Sequence, residues 1–378
     1  MKFTIDRESL LSTIQLVSGV VESRQTMPVL SNLRCVLNDD GLCFTGTDQE
    51  VALSAGTTKV VTNVSGATTI PSRKLLDICR SQGSAAEITL DLKGSRLSIS
   101  SGRFNSSLAT LPSETFPSLE MGDIDLSICI EAHRLASLLE ATSFAMAQQD
   151  VRYFFNGMLL EIEGNTLRAV ATNGQRLATS IVSVAIVDTP VDDIATELLV
   201  KKQFIVPGKS INELARMVKK IGKEKVEMRF NYNRLQVSCG LMQLTTKLID
   251  AQYPEYQKVM ATGGDKTFTL NRLELREVLS RIAILSNEVY RNVKLSLASG
   301  VMTLSANNPL KEEAEETIEI DYNGEEVEIG FNVVYLIDAL KALKGDKVDI
   351  ILQNSSSAML ISNPDDNRSV FVVSPMML

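Results

Sequence analysis

Few residues of this chain are arranged as a catalytic site requires. The single histidine, His133, stands between charged neighbours at the start of a predicted helix, and an isolated histidine of this kind is usually structural. The run Gly208-Lys209-Ser210 resembles the end of a phosphate-binding loop, but that loop needs a glycine where Gln203 stands. We therefore expect no catalytic residue and no cofactor.

The carboxylates and thiols do not predict a metal site either. Asp192 and Asp193 are adjacent, so their side chains diverge instead of meeting at one ligand. The run 311–316 carries four glutamates and is expected to be a solvated face. The five cysteines include no CxxC pair and their number is odd, which argues against a disulfide framework or a zinc site and favours the reducing cytoplasm. They are Cys35, Cys43, Cys79, Cys129 and Cys239.

Positive charge is concentrated on three segments, although the chain as a whole carries −8. Residues 72–80 carry a net +2, residues 208–223 carry +4 and residues 332–347 carry +1, so the remainder carries −15. Phosphate binding requires clustered Lys and Arg. The repetition favours a surface for nucleic acid; the alternative is that these residues lie on solvated helix faces and near helix C-termini.

The basic segments occupy equivalent places in a threefold repeat. Three short alternating apolar runs end in a small residue, and these landmarks are 125 and 135 residues apart: Gly46, Ala171 and Ala306. A second set, 136 and 125 residues apart, precedes the basic segments: Pro71, Pro207 and Asn332. A period this long indicates repeated domains, because each repeat can bury a core of its own.

Each repeat is predicted to contain two helices and about eight strands, which defines an α+β fold with helices packed on hairpin-rich antiparallel sheets. The pattern resets near Phe116-Pro117 and Tyr253-Pro254, which gives domains at 1–122, 126–261 and 264–378. Residues 185–203 are expected to form a long surface connection inside the middle domain. The first residues lack a signal peptide, and no stretch is long enough to cross a bilayer.

Several blocks are similar to one known family. They cover residues 149–161, 169–178, 281–288, 325–343 and 372–378. In colinear order along the whole chain, these blocks resemble the bacterial DNA sliding clamp, the beta subunit of the replicative DNA polymerase III. The resemblance implies the DNA-clamp fold and a head-to-tail homodimer that forms a ring around duplex DNA. It also implies a non-catalytic processivity factor that tethers the polymerase, the clamp loader and other proteins through short peptides.

Specific residues follow from this resemblance. It implies sequence-independent DNA contacts at Arg24, Arg73, Gln149, Tyr153, Phe154 and Lys209, and charge and helix position add Arg80. It implies a peptide-binding cleft between the second and third domains, lined by Arg152, Phe155, Thr172, Gly174, Gln175, Arg176, Leu177, Pro254, Lys258, Val259, Asn332, Tyr335, Val372, Val373, Ser374, Pro375, Met376, Met377 and Leu378. An apolar tail that ends in Pro-Met-Met-Leu would be costly to leave exposed, and flexible Met side chains suit several ligands.

The chain departs from the family pattern at several positions. The family usually has Asp-Gly-His where Asn173-Gly174-Gln175 stands, and an aromatic hydroxyl where Phe154 stands. At the subunit contact the resemblance implies Lys74 and Leu108 facing Ile284 and Leu285. The usual neighbouring Phe is replaced there by Ser106, and Phe104 is expected to compensate.

Two other classes of function stay open at this point. One is a metal-dependent nuclease or hydrolase built from carboxylates that are distant in sequence. The other is a repeat-built adaptor that binds proteins but no DNA. Metal-dependent turnover would favour the first, and a monomer that does not bind DNA would favour the second.

Overall fold

The computed structural model describes residues 1–22, 27–188, 201–260 and 264–377. The chain divides into two compact units. Unit 1 consists of Met1–Leu135, Val184–Ile194 and Asn212–Leu248, and unit 2 consists of Ala136–Ser183, Ala195–Ile211 and Ile249–Leu378. In the described part of the chain, no helix is long and apolar enough to span a membrane.

The first repeat holds two helices and nine strands. The helices are α1 (Arg7–Val17) and α2 (Ser72–Ser81). The strands are β1 (Lys2–Asp6), β2 (Asn32–Asn38), β3 (Gly41–Thr47), β4 (Val51–Thr57), β5 (Val61–Val64), β6 (Gly66–Pro71), β7 (Glu87–Lys93), β8 (Arg96–Ser101) and β9 (Phe104–Ala109). Asp6 begins α1, because its side chain accepts a hydrogen bond from the backbone N–H of Ser9 at 2.8 Å.

The middle repeat has the same order of elements. Its helices are α3 (Ala132–Thr142) and α4 (Gly208–Ile221), and the short α5 (Gln257–Met260) follows its last strand. Its described strands are β10 (Leu126–Glu131), β11 (Gly157–Glu163), β12 (Thr166–Thr172), β13 (Arg176–Ser183), β14 (Ala185–Asp188), β15 (Lys202–Pro207), β16 (Lys225–Phe230), β17 (Arg234–Cys239) and β18 (Met242–Lys247).

The third repeat again begins with a strand followed by a helix. Its helices are α6 (Arg272–Ile282) and α7 (Val333–Ala342), which begin at asparagine caps Asn271 and Asn332. Its strands are β19 (Lys266–Asn271), β20 (Asn292–Ala298), β21 (Val301–Asn307), β22 (Glu313–Glu319), β23 (Val327–Asn332), β24 (Lys347–Leu352), β25 (Met359–Asn363) and β26 (Asp366–Val373). The prediction of two main helices and about eight strands per repeat is confirmed.

Each unit contains two antiparallel sheets. In unit 1 they have the orders β5-β1-β7-β8-β9 and β14-β10-β16-β17-β18-β4-β3-β2-β6. In unit 2 they have the orders β15-β11-β12-β13-β26-β25-β24-β19 and β22-β21-β20-β23. The largest sheet of each unit joins strands of two successive repeats, through the pairs β18–β4 and β13–β26. This explains why three sequence repeats give two compact units.

The helices bury the apolar stripes that the sequence predicts. Leu10, Ile14 and Val17 of α1 are fully buried, as are the apolar residues at the corresponding spacing in α4, Ile211, Leu214 and Val218. Each helix therefore packs one face into a core. The opposite face stays available for polar contacts.

The connection predicted at 185–203 is wrong at both of its ends. Ala185–Asp188 forms β14, which pairs with β10, and Lys202 already belongs to β15, which pairs with β11. The sequence signal was weak because an edge strand of four residues carries little alternation. Residues 189–200, including Asp192 and Asp193, lie outside the described residues.

Candidate functional site

The most enclosed apolar cavity lies in unit 2, beside the pair β13–β26. It measures about 130 Å³. Nine of the residues expected to bind a peptide line it, together with two that were not predicted, Glu255 and Tyr256. The nine are Phe155, Thr172, Gly174, Arg176, Leu177, Pro254, Val259, Val372 and Ser374. We call this cavity the cleft.

One wall of the cleft is the turn from β12 to β13. The side chain of Thr172 accepts a hydrogen bond from the N–H of Gly174 at 3.0 Å, and Asn173 accepts one from the N–H of Arg176 at 3.0 Å. Gly174 has a φ of +89°, a conformation that other residues adopt only with strain. The turn is thus fixed by its own side chains, which preorganises the wall.

Arg176 holds this wall to the third repeat. Its guanidinium donates to the Asp338 carboxylate at 2.8 Å and to the carbonyl oxygen of Phe144, and it stacks 4.4 Å from the ring centroid of Tyr335. The sequence analysis expected Arg176 to orient a bound peptide. The structure shows instead that its charge is satisfied inside the protein, so its main contribution is to position the neighbouring elements.

The floor of the cleft comes from β26 and the tail that follows it. Val372 lines the cleft, whereas Val373 points into the core and is 1% exposed, because successive residues of a strand face opposite sides. The prediction that Val373 lines the cleft is therefore wrong. Beyond the strand, the N–H of Ser374 donates to the carbonyl of Gln175 at 2.8 Å.

The tail then crosses to the second sheet of unit 2. The N–H of Met376 donates to the carbonyl of Gly330 in β23 at 2.8 Å. Met376 and Met377 lie at a separate, more open cavity and do not line the cleft. Leu378 is outside the described residues, so the expectation for it stays a prediction.

The third wall is the segment that contains α5. Pro254, Tyr256 and Val259 face the cleft, and Lys258 pairs with Glu255 on the surface. The hydroxyl of Tyr256 donates to the carboxylate of Glu161 at 2.9 Å. This hydrogen bond links the wall to the sheet behind it.

Glu161 is a buried carboxylate with several partners. It accepts from Lys201 at 2.7 Å and from Gln203 at 2.9 Å, and Arg168 lies 3.6 Å away. Burial acts to raise the pKa of Glu161, but the hydrogen bonds from Lys201, Gln203 and Tyr256 outweigh it and lower the pKa below its usual value. Glu161 is therefore ionised at neutral pH and fixes the orientation of Tyr256.

An aromatic cluster closes one end of the cleft. The ring centroid of Phe154 lies 4.7 Å from that of Phe155 and 6.5 Å from that of Tyr253. The Arg152 guanidinium lies 4.5 Å from the Phe155 centroid and also binds Asp150, which lowers the pKa of Asp150 to about 2. Two of the remaining predicted residues lie close by: Tyr335 donates to Gln175 at 3.2 Å, and Asn332 caps α7.

The residues expected to contact DNA differ in exposure. The Arg73 side chain is 89% exposed, and Arg80 and Gln149 are exposed as well. Tyr153 is 57% exposed, whereas Phe154 is partly buried in the aromatic cluster. Lys209 lies in the first turn of α4, and Arg24 is outside the described residues.

Some of the positive charge is used between helices. Arg216 of α4 donates to the carbonyl of Gln15 at 3.4 Å, and Lys220 donates to that of Ser12 at 2.6 Å. In unit 2, Lys344 donates to the hydroxyl of Ser137 in α3 at 2.9 Å. Carbonyls in the last turns of a helix lack partners within the helix, so these contacts stabilise the end of α1. The sequence analysis counted these residues only as part of a basic surface.

The whole sequence matches one family. Residues 1–120, 129–255 and 257–377 match the N-terminal, central and C-terminal domains of the DNA polymerase III beta subunit. The chain belongs to this family. The beta sliding clamps of Pseudomonas aeruginosa and Escherichia coli K12 are 44% and 39% identical to it over 378 residues, which is all of each chain. The P. aeruginosa sliding clamp bound to griselimycin matches with 43% identity and a TM-score of 0.92, covering 100% of both chains.

These matches confirm the resemblance and the three-domain α+β fold. The function is that of a sliding clamp, a processivity factor in DNA replication that catalyses no reaction. In the described part of the chain, no group of three or more His, Cys, Asp or Glu side chains is placed to hold a metal ion. His133 lies on the surface, 3.6 Å from Glu131.

The residues expected at the subunit contact of the clamp lie on exposed or edge positions. Phe104 and Leu108 project from the same face of β9 as Ser106, in agreement with the expected replacement. Ile284 is 76% exposed, and Leu285 lies next to it in a short 3-10 turn. Lys74 lies on α2. The sequence analysis missed Glu161 and Tyr256, for which the only signal was a glutamate within an apolar strand.

Proposed function

We propose that two copies of this chain associate head to tail into a ring that encircles duplex DNA and tethers partner proteins through the cleft. The observation that carries the proposal is an incomplete series of strand pairs. β4, β13 and β22 are each the third strand after the first helix of their repeat, and β9, β18 and β26 are each the last strand. The pairs β18–β4 and β26–β13 form within the chain.

The third pair of this series would be β9 with β22. In the described residues, each of these strands is paired on one side only, β9 with β8 and β22 with β21. An unpaired edge is a template for pairing with another chain. Joining the β9 edge of one copy to the β22 edge of another satisfies both, and a second such contact closes the dimer.

The register of the proposed contact follows from the two internal pairs. Leu53 pairs with Leu244, and Ala178 pairs with Phe371. The equivalent positions in the open edges are Ala314 and Ser106, which places Phe104 and Leu108 beside the acidic strand β22 of the other copy. The exposed Ile284 and its neighbour Leu285 then supply apolar area that the strand edges lack.

A ring suits a protein with the charge distribution of this chain. The net charge is −8, but the segments that contain α2, α4 and α7 are positive. Encirclement holds the DNA by topology, so weak phosphate contacts are sufficient and permit sliding. We assign these contacts to Arg24, Arg73, Arg80, Gln149, Tyr153, Phe154 and Lys209, and each repeat to one domain with the boundaries 1–122, 126–261 and 264–378.

The cleft suits an apolar peptide side chain. Leu177, Val259 and Val372 supply the apolar lining, and the backbone of the turn at Gly174 supplies polar groups that fix orientation. The P. aeruginosa clamp binds griselimycin, and we infer that the cleft of this chain accepts peptides of similar apolar character from the polymerase, the clamp loader and other replication proteins. Cytoplasmic location, expected from the cysteines, stays a prediction.

Retention on closed DNA tests encirclement. The protein is loaded by a clamp loader onto circular DNA, and its retention is compared before and after the circle is linearised. We expect the protein to remain on circles and to leave linear DNA by running off the ends. Equal retention on both would overturn the ring.

Truncation of the tail tests the cleft. Deleting Pro375–Leu378 is expected to reduce polymerase-peptide binding at least about tenfold, because it removes the contact of Met376 with β23 and so releases Ser374. Met377→Ala is the matched control, since Met377 is 99% exposed and makes no contact with the cleft. Unchanged peptide affinity after the deletion, in a protein that still dimerises, would refute the assignment of the tail.

A further inference from the structure

A second cavity lies at the tip of the tail, in the third repeat. It measures about 430 Å³ and shares no lining residue with the cleft. Its lining combines four asparagines with an aromatic ring, a proline and two methionines: Asn287, Asn292, Asn307, Asn308, Tyr290, Pro309, Met376 and Met377. We call it the tail cavity.

The tail cavity is the third-repeat counterpart of an apolar site that the first two repeats fill. The residue two positions before the first sheet strand of each repeat is Leu30, Phe155 or Tyr290. The same equivalence holds at the next turn, where Thr172 and Gly174 at the end of β12 correspond to Asn307 and Pro309 at the end of β21. The cavity and the cleft are thus built from the same elements of successive repeats.

In the first two repeats an aromatic residue from the following segment packs on this site. Phe116 forms a buried cluster with Val29 and Leu30. Tyr253 packs on Phe155 with ring centroids 6.5 Å apart. In both cases the aromatic residue is followed by proline, at Pro117 and Pro254. Proline holds the residue before it in an extended conformation, so both segments approach the site as extended chain.

The third site is uncovered in the described residues. Leu30 is 3% exposed and Phe155 is 6% exposed, but Tyr290 is 64% exposed. The preceding residue, Val289, is 81% exposed, and Leu310 next to the cavity is 79% exposed. Clustered exposed apolar side chains of this kind mark interaction sites.

The polar groups of the tail cavity suit the backbone of an extended chain. Within the described residues, the side-chain amides of Asn292 and Asn307 make no hydrogen bond, and each carries both donors and an acceptor. Tyr290 is held in place, because Asn287 accepts from its backbone N–H at 3.0 Å. The ring is therefore a rigid platform with free amide groups beside it.

We infer that the tail cavity is a second docking site, which takes an extended peptide segment with an aromatic residue followed by proline. The aromatic ring packs on Tyr290 between the two methionines, as Phe116 and Tyr253 pack on the equivalent residues. Asn292 and Asn307 bind the backbone of the segment. The occupant is a partner protein, because the two internal segments of this composition already fill the first two sites.

The tail links this cavity to the cleft. Ser374 lines the cleft and Met377 lines the tail cavity, and three residues of extended chain span about 10 Å. A partner whose short peptide occupies the cleft can therefore place a flanking segment in the tail cavity. Two linked contacts raise the overall affinity without a new binding mode in the cleft. Only this last step rests on the proposed function of the cleft.

The experiment uses the absence of tryptophan from the chain. Tyr290→Trp places one fluorescent reporter in the tail cavity of the full-length protein, and Tyr232→Trp, at a position 85% exposed in unit 1, is the matched control. The probe is a synthetic peptide with the sequence of residues 113–119, which contains the Phe116-Pro117 pair. A second peptide has alanine in place of the phenylalanine.

We expect a saturable change in emission for Tyr290→Trp and none for Tyr232→Trp. The alanine peptide is expected to bind at least about tenfold more weakly, as buried aromatic contacts usually require. Asn307→Leu is expected to weaken the phenylalanine peptide about fivefold, through loss of a backbone hydrogen bond. The Val259→Asp change in the cleft is expected to leave probe binding unaltered.

Three results would overturn the inference. The first is the absence of a saturable signal up to about 1 mM probe. The second is loss of the signal on Val259→Asp, since the probe would then occupy the cleft. The third is a change in the peptide-free emission on dilution of an Ile284→Lys background, since a second copy would then fill the cavity. Because the probe lacks a polymerase peptide, failure here leaves the cleft assignment standing, and failure of polymerase-peptide binding leaves this one standing.

Discussion

The strand pair β13–β26 and the open edges β9 and β22 occupy equivalent positions in the three repeats, but only the first is closed within the chain. Closure places Leu177 of β13 beside Val372 of β26, and both line the cleft. The open edges keep exposed apolar residues such as Ile284 nearby. Equivalent strands therefore build a partner-binding site where they meet inside the chain, and a site for a second copy where they do not.

The largest expected effect breaks the proposed contact at the open edges. Ile284→Lys is expected to weaken self-association by about 3 kcal/mol, roughly a hundredfold, because it removes a large apolar side chain from the interface and adds a charge. Sedimentation over a range of concentrations measures this. Val151→Lys, at a position 95% exposed, is the control that should leave the dimer intact. A dimer of unaltered affinity in Ile284→Lys would separate the two regions in the opposite sense.

Removing the planar group of Arg176 tests how the closed pair is held. Arg176→Lys is expected to lower the free energy of unfolding by about 2 kcal/mol, because an ammonium cannot stack on Tyr335 and bind Asp338 and the Phe144 carbonyl together. Urea denaturation measures the change. Arg368→Lys, in an exposed pair with Asp366, should cost less than about 0.5 kcal/mol. Equal costs for the two would show that Arg176 does not hold the pair.

The carboxylate behind the cleft predicts a pH dependence. The folded pKa of Glu161 is lowered, so its contribution to stability is present above the unfolded pKa of about 4.3 and is lost as the pH falls through the folded value. Glu161→Gln is expected to cost about 1 to 2 kcal/mol at pH 7 and to flatten the acid limb of the stability curve. Tyr256→Phe keeps the ring and should lower peptide affinity a fewfold. An unaltered acid limb in Glu161→Gln would assign the pH dependence to other groups.

The smallest expected effect sharpens the same contrast for the helices. Arg73 is exposed, whereas Lys220 and Lys344 donate to neighbouring helices. Arg73→Ala should therefore reduce the slope of log affinity for DNA against log salt by about 0.9, with little effect on stability. Lys220→Ala should lower stability and alter the slope less. The reverse pattern, from salt titrations and urea denaturation, would contradict the assignment of Arg73 to DNA.

Much of the cleft could be predicted from the sequence because its residues lie in motifs that resemble a known family. Glu161 and Tyr256 could not, since a glutamate in an apolar strand does not reveal the four partners it meets in space. Arg176 and Val373 were identified but given the wrong contacts. A side chain's partner depends on strand register and on elements far away in the chain, which the local pattern does not contain.

The sequence by itself determined the number of repeats, the α+β class, the buried stripes of α1 and α4 and the concentration of positive charge on the second helices. These follow from periodicity and composition, which act locally. Only the tertiary structure decided which strands pair between repeats, and hence that three repeats form two compact units with two edges left open. Hydrogen bonding across strands joins residues more than a hundred positions apart, as Leu53 and Leu244 show, and nothing in either segment alone specifies its partner.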